Sequence, residues 1–579
     1  MGQISIMEKN PGGRYRKSKQ NKEAEFVAMS WKKTWKTAGW ILLAAVLCLL
    51  NMRTVYAATE QVQITSCVIT DDQNVQITAV NTGTISGDDN HFYLKELKPY
   101  EDSVETAGYV QAVDKGSEMV FTFPLNAGTA DSRLYSKFVV TVWDGSKYVA
   151  VSAPHYITNP EKIADNQAEF HEPLSKKGLL IEHDMLDDAF ALGVKHTIVN
   201  IPFQAMLGTG IDYEYEGKTY HFSKDFFEIY DKTIFDFSAK GITVTAVILN
   251  SWSDSTPDLI YPGTQKTAAA NYYMFNAATQ AGYEDIKAMA SFLAERYSGG
   301  SYGKISNWII GNEINNQQWN YIGPMDVNQY MQEYERAFRV FYTAIKSTNA
   351  NDRVYFSVDY NWNNEINGTT KYGAKEVIDT FNALVTAKGQ MDWGLAYHPY
   401  SVPLTEPEFW DDNQTGLISW QSDSPIVNFS NLQVLTDYFQ QSQLLNANGE
   451  VRHIILSEQG FTSQSATRGE CEDLQAAAFA YAYYIADSNP YIDAFIMSRQ
   501  VDAISEAELS CAFGLWTCDM DAGNRVVPTG QKKIWEVFRY IDKVNKSLEV
   551  TEFAKDIIDI EKWGDVIPDF IYRNRESRS

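Results

Sequence analysis

Two stretches of the chain put an acidic residue at the end of an apolar run, where a carboxylate has no packing reason to stand. Asn312 and Glu313 close the run Trp308-Ile309-Ile310-Gly311, and Glu458 follows Ile454-Ile455-Leu456-Ser457. Two carboxylates facing each other across a pocket can divide the work of acid and nucleophile, the minimum machinery for cleaving a bond between sugars. The acid must hold its proton near neutral pH, and a second carboxylate nearby helps it to do so. The nucleophile must stay ionised, which calls for hydrogen-bond donors around it. A lone Glu at a strand end is usually a salt bridge or a helix cap; an Asn-Glu together with a second Glu shifts the balance toward a site.

Other residues fall at comparable places. Ala396-Tyr397-His398-Pro399-Tyr400 ends another apolar run, and a phenol from Tyr397 or Tyr400 would suit an ionised carboxylate. Phe495-Ile496-Met497 leads into Ser498, Arg499 and Gln500, so Arg499 stands where it meets a substrate hydroxyl or carboxylate, or else pairs with Asp502. Asn250 and Trp252 follow one strand candidate, Trp362 another, and Asn200 and Glu182-His183-Asp184 two more. Trp252, Trp319 and Trp362 offer flat rings of the kind that suit the apolar faces of pyranosides, and Trp516 stands where it can floor the pocket from the loop after Arg499. His183 lies between two carboxylates without two further ligands at short spacing, so it reads as a hydrogen-bonded group; no C-x-x-C or H-x-x-x-H spacing supports a metal.

These residues need a scaffold that brings distant strand ends together. Apolar strand candidates occur at 178–182, 196–202, 243–250, 305–311, 354–359, 393–397, 453–457 and 494–498. Helical periodicity lies between them. Ile286, Met289, Ala290, Leu293 and Tyr297 share one face, as do Tyr330, Tyr334, Ala337, Phe338, Phe341 and Ile345, the latter helix opened by Asp326. Eight apolar strands each followed by a helix predict a (β/α)8 TIM barrel over 178–545, an α/β fold whose active face lies at the C-terminal strand ends. A doubly wound sheet is the alternative, but no Gly-rich loop follows the first strand. Strands 4 and 7 lie nearly opposite in such a ring. Before the barrel, residues 59–155 alternate apolar and polar residues in short runs between Asp/Asn/Gly clusters, which predicts a small all-β Ig-like sandwich. Residues 156–177 read as a linker and 546–579 as a C-terminal extension. The insertions Tyr213–Phe222 and Val402–Thr436, the second with Trp410 and Trp420, are expected to rim the cleft.

The motifs NWIIGNEIN and HIILSEQGF, in this order, resemble the clan-A retaining glycoside hydrolases, which carry Asn-Glu at the end of strand 4 and Glu at the end of strand 7. The resemblance covers the barrel, about two-thirds of the chain, without selecting a family. It implies that Glu313 is the acid/base, Glu458 the nucleophile and Asn312 a partner for the substrate 2-hydroxyl. The pair His398 and Tyr400 resembles the clan's strand-6 residues. Strand 8 departs from the pattern, with Ser498, Arg499 and Gln500 where many members place Trp.

The first 57 residues carry a net charge of +7 and so leave −32 on the rest of a chain whose total is −25. So acidic a surface repels phosphate backbones and anionic lipids, which argues against a nucleic-acid or membrane partner. Gly39–Met52 is an apolar run too short to span a bilayer; with Lys32, Lys33 and Lys36 before it and Val55-Tyr56-Ala57 after it, it reads as a signal peptide removed near Ala57. Translation from Met29 would give that signal a conventional length. A secreted protein without a lasting membrane anchor is therefore expected, and Cys471, Cys511 and Cys518 are candidates for disulfide pairing, with Cys67 apart in the sandwich. The expected activity is retaining hydrolysis of β-glycosidic bonds in a carbohydrate substrate without a cofactor. The rival from another class is a non-catalytic glycan-binding protein on a barrel scaffold.

Overall fold

The computed structural model describes residues 61–84, 87–105, 108–364, 366–523, 525–568 and 570. The signal peptide reading and the end of the C-terminal extension lie outside them.

The first part of the described chain is all-β. Strands Val62–Ile69, Asn74–Asn81 and Glu118–Pro124 form one antiparallel sheet; Tyr109–Asp114, His91–Leu97, Lys137–Trp143 and Tyr148–Ala150 form a second, joined by His155–Tyr156. Strict alternation of apolar and polar residues, as in Glu118–Pro124, sends Met119, Phe121 and Phe123 inward to meet Val75, Ile77, Phe92, Leu94 and Phe138. This unit packs on the outer helices of the following domain. Tyr100 and Tyr135 lie against the Tyr283 ring, and Arg339 stacks its guanidinium 4.5 Å from the centre of the Tyr156 ring.

The second part is a closed, wholly parallel barrel of eight strands. They are β1 Lys177–Leu180, β2 His196–Pro202, β3 Thr243–Leu249, β4 Asn307–Ile310, β5 Arg353–Asp359, β6 Trp393–His398, β7 Ile454–Gln459 and β8 Ile492–Met497, with β8 pairing back onto β1. Each is followed by a helix, so the expected (β/α)8 architecture is the one observed. The strands are apolar on both sides because both sides are covered. In β3, Val247 and Leu249 point into the barrel with Ile198, Ile309, Ile455 and Ile496, while Ala246 and Ile248 face the helices. The helix Val327–Thr348 after β4 begins where Asp326 accepts hydrogen bonds from the N–H groups of Asn328 and Gln329.

Two insertions decorate the barrel differently. The hairpin Gly210–Tyr215/Lys218–Ser223 turns on Glu216 and Gly217, both at positive φ, as a two-residue hairpin turn requires. It does not rim the cleft as its sequence suggested. Its polar edge is drawn to the helix Gln280–Arg296, where Tyr213 donates to Glu295 and Lys218 and Glu216 pair with Asp285 and Lys287. Among its described residues, the segment after β6 lines none of the cavity either; it is held together by Asp412, which accepts from the Val402 N–H and from Asn428 Nδ2, and it braces the strand ends by accepting from Tyr397 and Trp362 at the Val427 and Ser422 carbonyls. The four described cysteines are free thiols. No helix among the described residues is long and apolar enough to cross a membrane.

Candidate active site

The end of β4 is shaped by its contacts to β5. Asn315 and Asp359 bond reciprocally: Asn315 Nδ2 donates to the Asp359 carboxylate (2.6 Å), and the Asp359 N–H donates to Asn315 Oδ1 (2.9 Å). The Glu313 N–H donates to Ser357 Oγ at 2.8 Å, and the Ile314 N–H to the Ser357 carbonyl. These bonds hold Glu313 at φ 38°, a left-handed conformation that costs a non-glycine residue on the order of 1 kcal/mol. With its backbone turned this way, Glu313 is buried, 8% exposed, and one of its carboxylate oxygens lies 2.9 Å from His398 Nδ1. Burial raises its pKa to about 7; the hydrogen bond and charge of His398 oppose the rise, and Asp359 and Glu458 add to it.

The end of β7 is more open. The Glu458 side chain is 37% exposed, and its Oε1 accepts from the Tyr400 hydroxyl at 2.8 Å. Burial and the neighbouring Glu458 charge push the Tyr400 phenol well above its ordinary range, so it remains a donor. Of the two tyrosines at the end of β6, Tyr397 is turned away and donates to the Val427 carbonyl. His398 joins the halves. Its Nδ1 faces Glu313 and lies 3.9 Å from Glu458 Oε2, and its Nε2 lies 3.0 Å from Ser457 Oγ. Burial alone would lower the His398 pKa, but Glu458 and Glu313 outweigh it and the net shift is upward.

One atom each from Glu313, His398 and Glu458 lie within 4.8 Å of one another. These three are also the group among the described residues able to offer a metal ion one ligand atom apiece, although both ring nitrogens of His398 already have protein partners. Above them opens a cavity of about 220 Å³, floored by Leu180, Ile198, Val247, Leu249 and Ile309 and walled by Asn200, Tyr272, Asn312, Trp319, Ser498, Arg499 and Glu506. The fold thus brings Glu458, Asn312, His398, Trp319 and Arg499 to one pocket, with Glu313 buried against His398 and Tyr400 bonded to Glu458.

Four sequence candidates stand elsewhere. Asn250 is buried in the loop after β3, where it donates to the carbonyls of Leu259 and Met274 and accepts from Gln204. Trp362 is fully buried and donates its indole N–H to the Ser422 carbonyl of the insertion after β6. Trp252 packs its edge on Tyr273 and bonds to Asp254, and Trp516 donates to Asp188 rather than flooring the pocket. Arg499 pairs with Glu506 at 2.5 Å, not with Asp502, which is taken by Lys532. Tyr272, Ser357, Ser457 and Glu506 were not singled out from sequence. Ser457 had a signal in its position just before Glu458; Tyr272 lies in a long loop, and Glu506 in a helix of four residues, Ile504–Ala507, too short to show a periodicity.

Residues 169–566 match the model of DUF5722, a family of unknown function. No curated protein matches the chain. Among solved structures, similarity is found to a family 39 glycoside hydrolase from Bacteroides cellulosilyticus WH2, with 16% identity, TM-score 0.41 and coverage of 83% of this chain and 82% of that one. A Bacteroides uniformis β-glucuronidase matches at 10% identity and TM-score 0.35 over 83% of this chain, which spans about half (49%) of its length. A family 1 β-glucosidase from Thermotoga maritima matches at 15% identity and TM-score 0.39, covering 62% of this chain and 85% of that one. At these scores the likenesses carry no functional argument.

Proposed function

The chain belongs to DUF5722, and from the geometry of its pocket we propose that it is a retaining glycoside hydrolase acting on β-glycosidic bonds after export from the cell. The observation that carries this reading is that one carboxylate oxygen of Glu313 and one of Glu458 lie within 4.8 Å of each other at the mouth of the barrel. Carboxyl groups about 5–5.5 Å apart accompany retention, whereas inversion needs roughly 6.5–9.5 Å to admit a water between them.

Glu313, kept protonated by burial up to about pH 7, gives its proton to the glycosidic oxygen. Glu458, oriented by the hydrogen bond it accepts from Tyr400, attacks the anomeric carbon as the bond to the leaving sugar breaks. Glu313, now a carboxylate, takes a proton from water; the water oxygen attacks the anomeric carbon and the ester to Glu458 breaks. The sugar leaves with its configuration retained, and Glu313 has its proton back. Forming the ester removes the negative neighbour of Glu313, and the released charge brings it back when needed. Asn312, on the pocket wall beside Glu313, is placed to bond the 2-hydroxyl more strongly as positive charge develops on the ring.

The test is covalent trapping. A 2-deoxy-2-fluoro-β-glycoside with an activated leaving group is expected to add one fluorosugar to the peptide bearing Glu458. Binding of oligosaccharides without trapping or cleavage would favour a glycan-binding protein instead.

A further inference from the structure

The charges around the pocket bear on which sugar it takes, an inference that rests on the hydrolase reading above. Arg499 is the only lysine or arginine among the residues lining the cavity, and its Nη2 lies 2.5 Å from Oε1 of Glu506, in the short helix Ile504–Ala507. The same guanidinium sits in the field of Glu182 and Asp502. Lys532, the nearby second cation, is buried and bonded to Asp502, Ser463 and the Ala512 carbonyl, so it cannot swing into the cavity. His398 is held between Glu313 and Ser457, and any charge it carries is matched by the two catalytic carboxylates. Glu458 itself meets the cavity with only a neutral phenol as its donor at 2.8 Å. Among the described residues every cation at the pocket therefore already has a carboxylate partner, and a carboxylate on the substrate would have to compete with Glu506 for Arg499.

We infer that the sugar bound next to Glu458 is neutral, and that Arg499 and Glu506 form a specificity-determining pair that reads its hydroxyl groups. Both side chains remain partly exposed, 25% and 35%, while they hold each other. A guanidinium is a donor and a carboxylate an acceptor, so side by side they match adjacent sugar hydroxyls, each of which can accept one bond and donate another. A uronic acid replaces the hydroxymethyl group, which can donate, with a negative carboxylate in a cavity already lined by Glu458 and Glu506. A site built to bond a hydroxyl rejects a substrate that leaves its groups unpaired.

The experiment compares aryl β-glycosides sharing one leaving group: glucoside, galactoside, mannoside and xyloside against glucuronide and galacturonide. The wild-type enzyme is expected to cleave at least one neutral member with kcat/KM about 100-fold or more above both uronides. Glu506→Gln leaves Arg499 without its ionic partner and is expected to slow the neutral substrate and narrow that ratio by about 10-fold or more. If the variant does not fold, the wild-type comparison alone decides. A uronide cleaved as fast as the best neutral sugar, with turnover still abolished by Glu458→Ala, overturns this inference and leaves the hydrolase standing. Cleavage of no member of the panel overturns both.

Discussion

The ends of β4 and β7 each bring one glutamate to the same pocket, but into different surroundings. Glu313 is buried, held at positive φ by β5, and lies 2.9 Å from His398 Nδ1. Glu458 is exposed over a third of its side chain and accepts from a phenol. Burial in the first case favours the protonated acid, while the second is open to the cavity, where it can reach an anomeric carbon. Identical side chains thus acquire opposite tasks from their environment, and the strain at Glu313 is the cost of keeping it turned into the wall rather than into water.

Removing each carboxylate in turn breaks that contrast most severely. Glu458→Ala is expected to lower kcat by about 10⁴-fold or more on every substrate, because no nucleophile remains. Glu313→Ala should cost about 10²–10⁴-fold on sugars with poor leaving groups and far less on dinitrophenyl glycosides, which depart without a proton. Steady-state kinetics on the two substrate types separates the roles; equal losses on both for Glu313→Ala would contradict them. A smaller effect is expected from Tyr400→Phe, which removes the donor to Glu458: about 10-fold in kcat with KM little changed. The smallest effect concerns pH. Wild-type kcat/KM should fall above about pH 7, as Glu313 loses its proton. Since His398 favours the ionised form of Glu313, His398→Phe should leave the proton on Glu313 to higher pH and move this limb upward. A downward move in the pH–rate profile would contradict the assignment.

Much of the scaffold was legible because parallel strands buried on both faces leave apolar runs, as in Ala246–Leu249 and Ala494–Met497. The polar residues ending Trp308–Gly311 and Ile454–Ser457 stood out against those runs, and both reach the pocket region. Past the last strand residue the same logic fails. The positions of Trp362 and Asn250 just past strand ends point to the pocket, but the loops that carry them turn inward to satisfy backbone groups of neighbouring loops. Tyr272 reaches the cavity from a loop and Glu506 from a helix of only four residues, neither of which carries a periodic pattern. The hairpin at Gly210–Ser223 was recognisable from its Glu-Gly turn, whereas its docking on the helix Gln280–Arg296 depends on charged partners some 70 residues away, such as Asp285 and Lys287.

The division of labour across one glycosidic bond is tested most directly by proton NMR of the first sugar released from an aryl β-glycoside. The account predicts that the β-anomer forms first and the α-anomer grows in only as the sugar equilibrates. Release of the α-anomer first would mean that water, not Glu458, attacks the anomeric carbon, and would contradict the proposed pairing of Glu313 and Glu458.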